Sequence, residues 1–161
     1  MKYIYVAVFV FVFIVFDLEL GYTKDSPLYT HFTFMFQHAG IVHLVINSLA
    51  FIGVFRAMER FINKWTLSAV IVFSSFAASI ISMYDIPTVG ASGMIYTMIG
   101  MFFGLIISGE TAIIDKKKFS IFVLSVFLSL TISFLKENSN FLLHIYCMLF
   151  GFLSSQMVKL K

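Results

Sequence analysis

The sequence predicts an all-α integral membrane protein with six transmembrane helices, forming a single membrane domain over residues 1–161. Composition is the first reason, because 60% of the residues are hydrophobic, only 12% are charged and the mean hydropathy is +0.99. Soluble globular domains are much less apolar. The second reason is that the apolar runs are continuous rather than alternating. In lipid only helices and closed barrels satisfy their own backbone hydrogen bonds, and continuous runs favour helices.

Each of the six hydrophobic segments is near the length that crosses a bilayer, about 17–25 residues, and the fourth is at the short end. The first segment follows Lys2 as a signal peptide would, but no small-residue cleavage site follows it, so we expect a retained helix. The loop after it is dense in aromatic residues, which predicts that it lies half-sunk in the membrane interface. The segments are residues 3–20, 39–58, 65–84, 92–107, 119–135 and 140–158.

The basic residues predict the orientation, because cytoplasmic ends and loops retain Lys and Arg. Of the 11 Lys and Arg residues, only Lys24 and Lys136 fall on the side opposite the termini. Six helices require both termini to share a side, so we expect cytoplasmic termini. With no further domain beside the helices, we expect a minimal bacterial protein of the inner (plasma) membrane. The basic residues on the inner side are Lys2, Arg56, Arg60, Lys64, Lys116, Lys117, Lys118, Lys159 and Lys161.

Composition also limits the classes of function. A net charge of +3 is too small to indicate binding of nucleic acid. The single cysteine, Cys147, excludes an internal disulfide and argues against a cysteine-based metal cage. A metal or haem protein using His31, His38, His43 and His144 is one alternative, because imidazoles are good ligands. These histidines lack close paired spacing, and His31 and His38 are interpreted as interfacial, so we expect no metal and no cofactor.

One serine, Ser92, lies between Gly90 and Gly93 at the start of the fourth segment. Glycine has no side chain, so the Ser92 hydroxyl and N–H are left unshielded, as a reactive centre requires. Other serines, such as Ser79 and Ser129, lie within apolar runs, where a hydroxyl usually bonds to a carbonyl of its own helix. Ser92 is therefore the candidate reactive serine.

Strongly polar side chains of the segments converge at one depth. Ser92 lies at the outer end of the fourth segment, and His144 lies about one turn into the sixth from the same side. His43 and Asn47 lie one and two turns into the second. At about 1.5 Å of rise per residue, all four lie within roughly 10–15 Å of the outer surface. Polar groups within membrane helices are costly and indicate function.

Two faces of small residues predict a contact between Ser92 and His144. Such faces allow helices to approach closely in lipid, which would hold these two polar residues near each other. A neutral histidine within hydrogen-bond reach activates a serine, so we predict a catalytic Ser92–His144 dyad. The small residues are Gly100 and Gly104 on the fourth segment, and Cys147 and Gly151 on the sixth.

An acyl-transfer site also needs donors for the developing oxyanion, each contributing about 2.7–4 kcal/mol to transition-state stabilisation. His43 and Asn47, four residues apart on one helix face, are suitable donors together with the Ser92 N–H. Asp85 lies just outside the third segment and is a poor candidate for orienting His144. Packing of the imidazole against Tyr96 is the simpler way to hold it.

These residues together resemble the rhomboid intramembrane serine proteases, over roughly residues 3–158. The stretch 90–93 resembles the GxSG motif with its serine nucleophile, and His144 resembles the general base. Two further residues, His43 and Asn47, are similar to the H-x-x-x-N pair that assists the oxyanion hole. In addition, Tyr96 matches the tyrosine that packs on the catalytic imidazole, and His38 falls where many members carry another histidine.

The resemblance implies hydrolysis of peptide bonds in or near transmembrane segments of membrane-protein substrates, through an acyl-enzyme and on the outer side of the bilayer. It also implies that substrates enter beside the fifth helix. The alternative is a non-catalytic rhomboid-like protein that binds transmembrane helices without cutting them. Such proteins usually lose the serine or the histidine, and both are present here.

Two positions depart from the family pattern. The first loop carries Tyr29-Thr30 where a Trp-Arg pair is frequent, and the sixth helix carries Cys147 where glycine is frequent. The second departure is expected to widen the contact between the fourth and sixth helices by one thiol. No residue of the expected dyad or oxyanion hole is missing.

Overall fold

The computed structural model describes residues 1–16, 20–82, 84–110 and 115–158. The all-α prediction is confirmed over these residues, which form seven α-helices, one short 3₁₀ helix and no strand. The α-helices are α1 (Lys2–Val15), α2 (Thr30–Thr33), α3 (Ile41–Met58), α4 (Lys64–Ile81), α5 (Ser92–Ile107), α6 (Lys116–Leu135) and α7 (Phe141–Ser155).

Three of these helices, α3, α4 and α6, are long and apolar enough to cross a membrane. The other three long helices are apolar but shorter, with 14 residues in α1, 16 in α5 and 15 in α7. The helix of the fourth hydrophobic segment, α5, is therefore not the shortest of the six. This composition and these lengths are those of an integral membrane protein.

Several helices end where the backbone leaves the helical region. The first was expected to reach residue 20 but ends at Val15, because Phe16 is extended with φ −116° and ψ 136°. Residues 17–19 lie outside the described part of the chain. The third segment was expected to reach residue 84, but α4 ends at Ile81 because Ser82 has left the helix with φ −84° and ψ 67°.

Other boundaries follow from capping. An Asp or Asn side chain at the N-cap accepts a hydrogen bond from an unpaired N–H of the first helical turn. The Asp115 side chain accepts from the Lys117 N–H, so α6 begins three residues before the expected position 119. The Asn140 side chain accepts from the Leu143 N–H at the start of α7, which ends at Ser155 rather than residue 158. Likewise, α3 begins two residues after position 39, because Gly40 is extended.

The central helix is α5, which packs against α3, α4 and α7. Its contact with α7 is backbone against backbone, because a Cβ at Gly100 would lie 1.9 Å from the Met148 carbonyl oxygen. A Cβ at Gly104 would lie 1.9 Å from the Ser155 hydroxyl. Close approach of this kind is how small residues join helices in lipid. The two helices that begin near Ser92 and His144 are thus held tightly together.

The helix that packs least is α6. Of its residues only Val126 and Ser133 are buried. Near its N-terminal end, the Phe122 ring packs against Phe102 and Phe103 of α5. In the described part of the chain, α6 also makes a small contact with α7. Lateral displacement of α6 would consequently cost less buried surface than displacement of any helix around α5.

The loop between α1 and α3 folds back over the end of the bundle at which α5 begins. It contains α2 and the 3₁₀ helix Phe34–Phe36. The Tyr22 and Thr88 backbones form an isolated antiparallel bridge, and the Phe34 carbonyl accepts from the Gly90 N–H at 2.9 Å. The loop is therefore tied to the segment that leads into α5.

Candidate active site

Ser92 and His144 are in direct contact. Ser92 is the first residue of α5 and His144 lies in the first turn of α7, where its side chain is 8% exposed. The Ser92 Oγ lies 2.9 Å from the His144 Nε2. This is hydrogen-bond distance, and a neutral imidazole nitrogen without a hydrogen can accept a hydrogen bond from the serine hydroxyl. The close approach of α5 and α7 below them accounts for this geometry.

Two side chains hold the His144 ring. The Tyr96 ring, one turn after Ser92, stacks on it with centroids 4.4 Å apart and planes 28° from parallel. At the imidazole nitrogen that does not contact Ser92, the Ser133 hydroxyl of α6 lies 2.8 Å from the Nδ1 atom. Asp85 instead pairs with Lys24 at 2.8 Å, far out on the exposed surface. The partner of Nδ1 is thus a hydroxyl and not a carboxylate.

Ser129 contradicts its sequence interpretation as a helix serine bonded to its own backbone. Its hydroxyl lies 2.6 Å from the Tyr96 hydroxyl on α5. Ser129 and Ser133 are four residues apart, so both face the bundle from α6. This spacing was the available signal for both residues, but apolar runs often contain serines at such intervals without a partner on another helix.

The two glycines beside Ser92 make room for different groups. Gly90 has φ +124°, and a Cβ there would lie 2.8 Å from the His43 Cε1. A Cβ at Gly93 would lie 3.2 Å from the Cys147 Sγ and 3.4 Å from the Ser75 Oγ. Gly90 therefore admits the His43 imidazole. The Cys147 thiol, which was expected to widen the helix contact, fills the space that Gly93 leaves open.

His43 and Asn47 lie at different depths beside Ser92. The His43 ring lines a cavity of about 890 Å³, together with Ser92, His144 and Lys136. Asn47 lies one turn deeper in α3, outside the lining of that cavity and 6% exposed. Its amide donates to the His43 main-chain carbonyl at 3.0 Å. Of the two expected side-chain oxyanion donors, His43 is the one that faces the cavity.

The loop histidines, interpreted from the sequence as interfacial, are buried within the protein. His31 is 5% exposed, and its ring stacks on Tyr22 with centroids 4.6 Å apart. His38 is 2% exposed and lies against Phe9 and His43, with both pairs of ring centroids 5.2 Å apart. Burial, with a smaller contribution from the neighbouring His43, lowers the pKa of His38 to about 4. Both rings are buried because the loop folds inward against α1 and α4.

A buried polar network supports the start of α7. The Asn140 amide donates to the Tyr22 hydroxyl at 2.9 Å and to the Thr88 hydroxyl at 3.2 Å. The Tyr22 and Ser82 hydroxyls are 2.9 Å apart, and burial raises the pKa of Tyr22 to about 12. The network joins the first loop and the end of α4 to the N-cap of α7, one turn before His144. The sequence did not predict this network, because its members lie far apart along the chain, with Tyr22 and Asn140 separated by 118 positions.

Cofactor-binding residues are not evident in the described parts of the chain. There, no group of three or more His, Cys, Asp or Glu side chains is placed to hold a metal ion. Cys147 is fully buried. What the arrangement offers chemically is a hydroxyl against an imidazole, beside a cavity whose walls are mainly apolar with a few polar side chains.

The fold and the site define a helical membrane protein with a serine and a histidine paired near one end of its helical bundle. The Rhomboid domain family matches residues 25–160, and the chain belongs to the rhomboid family. It is also 30% identical over 122 residues to a Bacillus subtilis (strain 168) protein named "Putative rhomboid protease YdcA". That match covers 73% of this chain, which spans about three fifths of the relative (61%). The resemblance inferred from sequence is thereby confirmed at family level.

Proposed function

We propose that this protein is an intramembrane serine endopeptidase that hydrolyses peptide bonds in or near transmembrane segments of membrane-protein substrates. The observation that supports this most strongly is the 2.9 Å distance between the Ser92 Oγ and the His144 Nε2. A serine paired with a neutral base is the arrangement that activates a hydroxyl nucleophile. Membership of the rhomboid family supports the same reaction class.

In the proposed mechanism, the Ser92 Oγ attacks the scissile carbonyl carbon while its proton passes to the His144 Nε2. His144 then returns this proton to the leaving amine, and an acyl-enzyme on Ser92 remains. A water molecule gives a proton to His144 and attacks the acyl carbon. The carboxylic product leaves, and the proton returns to Ser92.

The oxyanion formed in each step needs donors already in place. The Ser92 N–H belongs to the first turn of α5, where helix N–H groups are not used within the helix and the dipole favours negative charge. The His43 ring, admitted by Gly90, borders the same cavity. We assign His43 as the side-chain donor and Asn47 as its support from one turn below, through the hydrogen bond to the His43 carbonyl.

We further propose that all six long helices span the bilayer, with cytoplasmic termini and Ser92 near the outer surface of a bacterial plasma membrane. At about 1.5 Å per residue, α1, α5 and α7 are about 21–24 Å long, which thins the surrounding bilayer. The basic start of α6, at Lys116 to Lys118, lies at the end of the bundle opposite Ser92. Positive residues favour the cytoplasmic side.

Substrate entry is assigned to the side of α6. An apolar groove of about 390 Å³ separates α6 from α3, lined by Gly53, Ala57, Phe102 and Phe122 among others. Because α6 packs lightly, it yields more readily than the helices around α5. The partners of this protein would then be single transmembrane helices in the lipid bilayer, with no nucleic acid and no metal.

The test is cleavage of a model transmembrane substrate in liposomes, combined with labelling by a serine-reactive fluorophosphonate. Wild type is compared with Ser92→Ala and His144→Ala. Ser125→Ala is the matched control, because its exposed hydroxyl bonds only to the Ile121 carbonyl of its own helix at 2.8 Å. Loss of cleavage and labelling in the two site variants alone supports the proposal.

A folded wild type that neither cuts nor labels, across several substrates, would overturn the proposal. The alternative of a protein that binds transmembrane helices without cutting them would then be favoured. Binding of a labelled transmembrane peptide by wild type that neither cuts nor labels would support that alternative directly.

A further inference from the structure

The hydroxyl of Ser133 is an unusual group on α6. Ser133 is one of two buried residues of this helix, and it is 6% exposed. A serine inside a helix usually bonds to the carbonyl four residues before it, as Ser125 does. The Ser133 Oγ instead lies 2.8 Å from the His144 Nδ1 and 2.7 Å from the Ser139 Oγ. This side chain is directed at the imidazole of the candidate base.

The proposed transfer of a proton from Ser92 to His144 determines which atom donates in the hydrogen bond between His144 and Ser133. For the His144 Nε2 to accept the Ser92 proton, the ring hydrogen must be on Nδ1. The Nδ1–H then donates to the Ser133 Oγ, and the Ser133 hydroxyl donates onward to Ser139. In serine proteases with a triad, a buried carboxylate fills the place next to Nδ1 and holds the productive tautomer. Here a neutral hydroxyl occupies that place.

We propose that Ser133 is a positioning residue that holds His144 in the tautomer and ring orientation needed to activate Ser92. This inference rests on the proposed protease function. Ser133 touches neither the substrate nor the reacting atoms of Ser92, so it acts through His144. Because Ser133 lies on α6, the productive pair is complete only when the outer end of α6 is docked on α7.

A second contact makes the same link. The Tyr96 ring that stacks on His144 is held through its hydroxyl by Ser129, also on α6, at 2.6 Å. Both supports of the imidazole are thereby anchored on the helix that packs least. Outward movement of α6 would release them together, and the site would re-form when α6 returns.

The experiment compares Ser133→Ala, Ser133→Thr and the control Ser125→Ala in detergent micelles. The first readout is the ¹⁵N spectrum of histidine-labelled protein, with the His144 signals assigned from His144→Gln. We expect wild type to carry the ring hydrogen on Nδ1 and Ser133→Ala to show a mixture of tautomers. This readout requires no proteolysis, so it succeeds or fails independently of the proposed function.

The second readout is the kinetics of transmembrane substrate cleavage. We expect kcat to fall about 3- to 10-fold in Ser133→Ala, as for a lost neutral hydrogen bond, with KM unchanged. Ser133→Thr, which keeps the hydroxyl, should restore both the rate and the single tautomer. If Ser133→Ala fails to fold, Ser133→Cys replaces it, because a thiol is a weak acceptor and should give intermediate values.

An unchanged His144 tautomer in the folded alanine or cysteine variant would overturn the inference. So would an equal loss of rate in Ser133→Ala and Ser133→Thr, since that would point to packing rather than to the hydroxyl. Wild type and Ser133→Ala could differ in tautomer as expected while wild type cleaves no substrate. In that case the protease proposal fails, and the role of Ser133 in positioning His144 stands.

Discussion

Gly151 of α7 lies directly against the main-chain carbonyl of Thr97 on α5, because a Cβ at position 151 would be 1.9 Å from the Thr97 oxygen. Gly100 makes the reciprocal contact with the carbonyl of Met148. The two helices therefore meet backbone to backbone. Since Ser92 and His144 lie at the N-terminal ends of these helices, this contact sets the distance between the hydroxyl and the imidazole.

The first prediction concerns this contact. Gly151→Ala forces the α5 and α7 backbones apart, and overpacking of this kind costs about 1–3 kcal/mol of folding free energy. We expect a lower melting temperature in detergent and loss of cleavage. Gly53→Ala is the control for the melting temperature, because a Cβ there meets nothing within 4 Å. Equal melting temperatures for the two variants would contradict the packing argument.

The second prediction concerns Gly90. Gly90→Ala places a methyl group 2.8 Å from the His43 ring at a positive φ of +124°, so both clash and backbone strain act. We expect at least about a 10-fold loss of kcat/KM, as one oxyanion donor is displaced. Gly109→Ala shares the positive φ, at +74°, but meets open space. If the two variants lose activity equally, displacement of His43 is not the cause.

The third prediction concerns the network at the start of α7. Asn140→Ala removes both an N-cap and the buried donors to Tyr22 and Thr88, and we expect a loss of about 2–3 kcal/mol of stability. Asn63→Ala is the matched comparison, because the Asn63 side chain caps α4 at an exposed site. That variant should lose only about 1 kcal/mol. Thermal unfolding of both measures the difference, which vanishes if the network contributes nothing.

The fourth prediction concerns pH. Burial lowers the pKa of His38 from 6.5 to about 4, so the folded state binds fewer protons here than the unfolded state. Stability is then fully present above pH 6.5 and is lost as the pH falls towards about 4. His38→Gln, which does not titrate, should have a flatter melting temperature between pH 7.5 and pH 4.5. Parallel pH profiles for wild type and His38→Gln would refute the assignment.

Local patterns in the sequence were sufficient for the helices and for much of the site. Continuous apolar runs predict helices, because lipid leaves no other partner for the backbone. Spacing of four residues placed Tyr96 below Ser92, and the stacking of Tyr96 on His144 follows from that face. Helix ends were less accurate, because α1 and α4 end where single residues leave the helical region.

The sequence alone determined three properties of this protein: its helical membrane character, its rhomboid family and the pairing of Ser92 with His144. Only the tertiary structure decided what holds the imidazole. A serine in an apolar run has the same kinds of neighbours in the sequence whether its hydroxyl bonds to its own helix or to another helix. The rotation of α6, set by packing, directs Ser133 to His144, and the inward fold of the first loop buries His38.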